Sequence, residues 1–238
     1  MINKYLTIYN DIVNRMEQGE FPTNSLIPSE NELKDYYDTS RETIRKALNL
    51  LAQNGYIQKV RGKGSVVIRS NKFDFPISGL VSFKELASKM GASANTIVHE
   101  LSLQKPDTYI RQQLNINSKN YVWKISRIRE INGEKIILDK DYLLQEVVPE
   151  ITKEICENSI YDYLENTLEL SISFAKKEII VTEPTEEDRL LLDLEGFHSI
   201  VIIKNYVYLN DARLFQYTES RHRPDKFRFV DFARRNHL

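Results

Sequence analysis

Apolar residues recur at helical spacing through the first fifty positions. Tyr5, Ile8, Tyr9, Ile12, Val13 and Met16 fall on one face of a helix over residues 4–18, and Gly19 is a natural stop. In "PSENEL", Ser29 and Glu32 have the spacing of a capping box, which predicts a short helix carrying Leu33 and Tyr36 inward. Thr39 and Glu42 repeat that spacing at the head of "TSRETIRKALNLLAQNGY", a helix whose buried positions are Ile44, Ala47, Leu48 and Leu51. Gly55 ends it. The period then changes: "YIQKV" and "SVVI" read as two strands joined by Arg61-Gly62-Lys63-Gly64.

Beyond residue 78 the pattern predicts an α+β domain. "YVWKISRIREI" and "EKIILDKDYLL" flank Asn132-Gly133, a type I′ hairpin signal, and a second pair, "SIVIIKNYVYL" and "ARLFQYTESR", turns at Asn210-Asp211. "SIYDYLENTL" and "TEEDRLLLDL" read as helices flanking a mostly antiparallel sheet. The expected division is residues 1–70 as a three-helix and hairpin domain, 71–78 as linker, and 79–238 as the larger domain.

The net charge of −1 argues against a polyanion partner until its distribution is seen. Residues 40–69 hold seven Lys and Arg against Glu42 alone, a local balance of +6 that leaves −7 for the rest. Ser40, Arg41, Thr43, Arg45 and Lys46 crowd the first turns of the third helix opposite its apolar stripe. Such a face is either an ordinary solvated surface or a DNA-reading one. The basic hairpin tip after it favours a winged helix-turn-helix, with the third helix in the major groove and the wing on the backbone or minor groove. A nucleotide loop is excluded by spacing, since Gly-Lys-Gly-Ser followed by "VVI" fits neither the P-loop nor the dinucleotide fingerprint.

No apolar run reaches the ~18 residues of a membrane span. The N-terminus lacks the apolar core of an export signal, so a cytoplasmic protein is expected. Cys156, the single cysteine, reads as a small semi-buried hydrophobe. His99, His198, His222 and His237 fall at no metal-ligand spacing, and no catalytic triad or elbow motif appears. No cofactor is expected. Arg127 and Arg129 share one strand face with Trp123, Ile125 and Ile131. They either await a buried anion or pair with Asp139, Asp141 or Glu130 across the hairpin.

"IPSENEL", "TSRETIRKALNLLAQNGYI" and "RGKGSVV" resemble the GntR family of bacterial transcription regulators. "GLVSFKELASKMG", "RIREINGEKIILDKDYLL", "SIYDYLE" and "FQYTESRHRPDKFRF" resemble the effector-binding UTRA domain of its HutC-type branch. The wording is most similar to the trehalose-operon repressors of Gram-positive bacteria. The resemblance implies a chorismate-lyase-like fold for the larger domain and a homodimer. It implies DNA contacts from Ser29, Glu30, Thr39, Ser40, Arg41, Thr43, Arg45, Lys46, Arg61, Gly62, Lys63 and Gly64. It also implies a sugar-phosphate effector held by Ser82, Phe83, Arg127, Arg129 and Ser159, with Asp139, Tyr142, Gln216 and His222 reading the sugar. Gln216 and His222 stand where the family carries Glu and Tyr, while Arg223 and Asp225 keep its pattern. Other members of the branch take amino-sugar phosphates, amino-acid-derived ligands or fatty acids. A lyase of the same fold is the enzymatic rival, and it would have no use for a basic winged helix.

Overall fold

The computed structural model describes residues 3–68, 83, 93–227 and 229. Residues 3–68 and 93–227 fall in separate compact units. The expected linker lies outside the described residues, as does Ser82.

In the first unit, α1 (Lys4–Glu17), α2 (Glu30–Tyr36) and α3 (Arg41–Gln53) precede a hairpin of β1 (Ile57–Val60) and β2 (Gly64–Val67). Ile8, Ile12, Val13 and Met16 from α1 meet Leu33, Ile44, Leu48, Leu51, Ile57 and Val67 in one core. The Ser29–Glu32 capping box forms as the spacing predicts, with Ser29 N–H donating to Glu32 Oε2 at 2.7 Å. The second expected box does not. The N-cap of α3 is Ser40, whose Oγ accepts from Thr43 N–H at 3.1 Å. Thr39 instead donates its backbone N–H to Lys34 O at 3.2 Å, closing the end of α2, so the chain is free to start a helix only one residue later. Tyr36 is also not an inward residue. It is 67% exposed, with the Arg15 guanidinium 4.8 Å from its ring, and Leu33 alone of that pair is buried.

α3 ends in a Schellman motif: Tyr56 N–H donates to Leu51 O at 2.9 Å and Gly55 N–H to Ala52 O at 3.2 Å, with Gly55 at φ +75°. This sharp reversal lets β1 run back along the helix it has just left.

The second unit is one antiparallel sheet in the order β3-β4-β5-β8-β7-β6. Its strands are β3 (Ala94–Gln104), β4 (Val122–Ile131), β5 (Glu134–Leu144), β6 (Ile172–Thr182), β7 (Ile200–Leu209) and β8 (Leu214–His222). α4 (Thr108–Leu114), α5 (Lys153–Glu157), α6 (Ile160–Asp162) and α7 (Glu186–Leu191) flank it. Asn132 and Gly133, at φ +52° and +85°, make the I′ turn between β4 and β5. The β7–β8 connection is longer than the expected two-residue turn, because residues 210–213 separate the strands and Ala212 takes the left-handed conformation at φ +65°. The helix expected over "SIYDYLENTL" is a single α-turn, Ile160–Asp162, that widens into a π-turn over Tyr163–Thr167. Among the described residues no helix is long and apolar enough to cross a membrane.

Replacing Gly55 with alanine puts a Cβ on a left-handed residue at the end of α3. The expected loss is about 1–2 kcal/mol, measured by chemical denaturation of the full chain.

Candidate DNA-reading face and effector site

The α3 face is built from its cap outward. Ser40 begins the helix, and Thr43 Oγ1 lies 2.9 Å from Ser40 Oγ, so both hydroxyls sit at the exposed N-terminal turn. Arg41 and Arg45 are each 55% exposed and lean toward α2. Arg45 Nε donates to Glu30 Oε2 at 3.1 Å, and Arg41 Nη2 to Asn31 Oδ1 at 2.7 Å. Glu30 therefore sits beside both arginines, and a phosphate would compete with it for them. Lys46 is exposed, Thr39 is half-buried beneath the helix start, and Ser29 is committed to capping α2. At the wing, Arg61, Gly62, Lys63 and Gly64 are all exposed. Gly62 and Gly64 have φ of +77° and +110°, so the tip needs glycine for backbone conformation although a Cβ would fit sterically. An exposed helix N-terminus and a basic tip can meet a polyanion at two places, the first with hydroxyls and guanidinium groups suited to base edges.

In the second unit the alternation of strand residues collects polar side chains on one face of β4, β5 and β8. Arg127 lies opposite Asp139, which lies opposite Ser220; Asp141 lies opposite Thr218, and His222 opposite Ile137. Arg127 Nη2 donates to Asp141 Oδ2 at 2.6 Å, and Arg129 Nε to Asp139 Oδ2 at 2.8 Å. Arg129 Nη1 also donates to Thr96 Oγ1 at 2.6 Å, and its guanidinium lies 4.6 Å from the centre of the Phe83 ring. Asp141 Oδ1 accepts from Thr218 Oγ1 at 2.8 Å and from Gln216 Nε2 at 3.0 Å. Ser220 Oγ bonds Asp139 and lies 2.9 Å from His222 Nε2. Arg127 Nη1 reaches Cys156 O at 3.4 Å at the end of α5.

Pairing across the hairpin is thus realised: two buried arginines are neutralised by two carboxylates, and their burial alone does not demand an anion. The balance is nevertheless strained. Burial opposes the charge on Arg129, and the like charge of Arg127 holds it further below the ordinary arginine value. Burial raises the Asp139 carboxyl, but Arg129 and Arg127 overcome it and hold the group below the usual carboxylate range. Two buried polar atoms in the cluster, Arg127 Nε and Gln216 Oε1, make no hydrogen bond among the described residues. Burial pushes His222 down to about 4, against a smaller upward pull from Asp139, so it is neutral near pH 7. Burial likewise pushes the Cys156 thiol up to about 11, which makes it a core residue and not a nucleophile.

One expected residue, Tyr142, faces away from this cluster. Tyr142 is three positions from Asp139 on an unbroken stretch of β5, so it projects from the opposite face, where it stacks on Tyr217 with ring centres 6.2 Å apart. Ser159 is half-buried, and its Oγ accepts from Asp162 N–H at 3.2 Å as the N-cap of α6. Arg223 and Asp225 pair at 2.8 Å, and Arg223 also donates to Asp193 O at 2.6 Å, a clamp at the end of β8. Thr96, Thr218 and Ser220 were missed from the sequence. The signal for Thr218 and Ser220 lay in "QYTESRH", where Gln216, Thr218, Ser220 and His222 alternate along one strand; Thr96, on β3, had no such signal.

The chain matches the gntR family of bacterial regulatory proteins over residues 4–67 and the UTRA domain over residues 89–228. It is 57% identical over 234 residues to the HTH-type transcriptional regulator TreR of Bacillus subtilis (strain 168), covering 98% of each chain. The structure of the effector-binding domain of the B. subtilis trehalose repressor superposes with a TM-score of 0.57 at 56% identity, covering 60% of this chain and 99% of that one. The possible transcriptional regulator YydK of Bacillus subtilis superposes at 0.80 and 27% identity, over 98% of this chain and all of that one.

Two outcomes follow from this geometry. Arg127→Ala strands Asp141 as a buried unpaired charge, so the expected loss of stability is about 3–5 kcal/mol, with Arg127→Leu/Asp141→Leu recovering most of it in the same denaturation assay. His222 binds a proton more readily unfolded (6.5) than folded (about 4). The native state therefore loses stability as pH falls through that window. In thermal melts from pH 7 to pH 4, His222→Gln is expected to lose less than the parent chain.

The match of both halves, together with full-length similarity above half of all positions, makes the chain a member of the GntR family carrying a UTRA domain, a family of transcription regulators and not of enzymes.

Proposed function

We propose that the chain is a cytoplasmic, homodimeric repressor of a trehalose-utilisation operon, released from its operator by a phosphorylated sugar, with trehalose 6-phosphate as the first candidate. The observation that carries this reading is the 57% identity to TreR across 98% of both chains. At that similarity the side chains of a binding site are expected to be shared more often than replaced. The DNA half of the proposal assigns base reading and phosphate contact to the α3 face of Ser40, Arg41, Thr43, Arg45 and Lys46, and backbone contact to Arg61 and Lys63. Two copies are expected because one short helix reads few bases, and a two-fold dimer meets a palindromic site.

The effector half assigns the phosphate to Arg127 and Arg129. Support comes from their mutual repulsion, which an anion relieves, and from Arg127 Nε, a buried donor with no hydrogen-bond partner among the described residues. Asp139, Gln216 and His222 are proposed to read sugar hydroxyls, with Gln216 Oε1 the acceptor still open. Ser159, the N-cap three residues beyond Cys156, keeps its proposed share in holding the phosphate, whereas Tyr142 is left out because it projects from the other face. Release requires the effector to bind the DNA-incompetent arrangement more tightly than the competent one; a tenfold loss of operator affinity needs about 1.4 kcal/mol of such preference.

Operator binding followed by fluorescence anisotropy tests both halves. Saturating trehalose 6-phosphate is expected to weaken binding by about tenfold or more, while trehalose and glucose 6-phosphate do little. Arg127→Lys keeps the charge but loses the planar fork, so operator affinity is expected to persist while the effector concentration for release rises by about tenfold or more. Arg45→Ala and Lys63→Ala are expected to flatten the slope of log affinity against log salt by about 0.9 each. No response to any sugar phosphate would sink the effector reading, and unchanged slopes in both variants would sink the DNA face.

A further inference from the structure

A cavity of about 290 Å³ opens on the surface where α7 gives way to the connection into β7. None of the residues of the arginine–carboxylate cluster lines it. Its floor is apolar, since Leu192 and Leu194 are buried. Phe197 stands in the wall and is 37% exposed, so a flat molecule can lie against its ring. Polar groups meet the same space. Arg189 and His198 line it and are exposed, and among the described residues neither side chain has a hydrogen bond or an ion pair. Leu194 to Phe197 form a tight turn, closed by Phe197 N–H donating to Leu194 O at 2.8 Å, with Glu195 and Gly196 at φ +50° and +81°. The N–H groups of Glu195 and Gly196 make no backbone hydrogen bond among the described residues, and consecutive open amides in a turn suit an anion. Glu195, the acid of the lining, has its carboxylate 4.0 Å from Arg223 Nη1, which offsets its charge.

A cation in the last turn of α7 also complements the helix dipole. That role asks for one solvated charge. It does not account for a ring, a second donor and two open amides around one apolar floor. We propose that this cavity is a second ligand site, separate from the effector cluster, for a small anion carried on a flat apolar ring, such as an aromatic carboxylate or an aryl phosphate. Its volume stands at the lower end of small-molecule sites, roughly 300–1,000 Å³, which suits one ring with its acid and not a disaccharide. Arg189 and the two amides hold the acid, and the His198 ring adds an N–H donor in either protonation state. Phe197 stacks on the ring, above the two leucines. The floor is also fixed in advance. Asp193, between those leucines, accepts from Lys135 N–H at 2.7 Å through its carboxylate and from Arg223 at 2.6 Å through its carbonyl. A wall tied in this way to β5 and to the end of β8 lowers the ordering cost of binding.

Phenyl phosphate, titrated into the full chain while backbone amides are followed by NMR, tests the proposal. Saturable shifts are expected at Glu195, Gly196 and Phe197 with a Kd of about 1 mM or tighter, and saturating trehalose 6-phosphate is not expected to compete. Arg189→Ala, at an exposed position, is expected to weaken binding by about tenfold or more. Phe197→Leu, which keeps apolar bulk but loses the flat face, is expected to weaken it several-fold; should that variant fail to fold, Arg189→Ala decides alone. Unchanged binding by Arg189→Ala, or no saturable shift at residues 195–197, overturns the site. Shifts confined to the strands around Arg127 and Arg129 place the probe in the effector cluster and overturn it equally. Phenethylammonium binding as tightly as phenyl phosphate overturns the anionic class of ligand.

Discussion

The charge balance between β4 and β5 governs the second unit. Arg127 and Arg129 on one strand meet Asp141 and Asp139 on the next, all on a single face, and each is removed from bulk water by the strands and helices around it. An isolated charge at that depth would cost far more than the domain's net stability, so the four must be accommodated together. Thr96, Thr218, Ser220 and Gln216 serve that end by bonding Arg129 Nη1, Asp141 Oδ1 and Asp139 Oδ1, which the ion pairs leave over. The hairpin register set by Asn132-Gly133 is thereby tied to chemistry as well as to packing, since a slip of one residue would turn the acids away from the arginines.

The same arrangement makes the cluster stable in itself while leaving it room to exchange partners. Asp141 and Asp139 compensate the two arginines within the fold. The arginines still repel each other, and Arg127 Nε and the neighbouring Gln216 Oε1 have no hydrogen-bond partner among the described residues. An anion entering there would exchange one set of charge-assisted bonds for another at little net loss of solvation. The DNA-facing unit shows a parallel device, with Glu30 beside Arg41 and Arg45 where a phosphate would otherwise stand. Exposure makes those pairs weak, so displacing the carboxylate is cheap.

A second buried network stands on the opposite face of the sheet. Arg221 grips Asp188 through two bonds of 2.6 and 2.7 Å, and Asp188 also caps α7 through Thr185. Glu219 accepts from Arg221, Tyr217 and Tyr109, which ties α4 to the same strand. β8 is thus held from both faces by polar contacts, and its alternating side chains divide between a candidate binding role and a structural one.

Local chemistry alone determined a great deal of this protein. Helical spacing, the Ser29–Glu32 box, the glycine after α3 and the Asn-Gly turn are decided by residues close in sequence, and each appears where its pattern places it. Near neighbours can also mislead. Thr39 and Ser40 both offer a cap, and only the closing bond of α2 selects Ser40; "SIYDYLENTL" coils as its pattern suggests, yet it changes from an α-turn to a π-turn at Tyr163. What the fold alone decided is partnership across distance. Whether Arg127 and Arg129 met an anion or Asp141 and Asp139 depended on cross-strand register, which spacing within one strand does not encode. The placement of Tyr142 away from Asp139 was legible in their odd separation, whereas the convergence of Thr96, Thr218 and Ser220 required three strands to be laid side by side. Side-chain direction alternates locally, but burial and charge compensation arise only when strands far apart in sequence become neighbours.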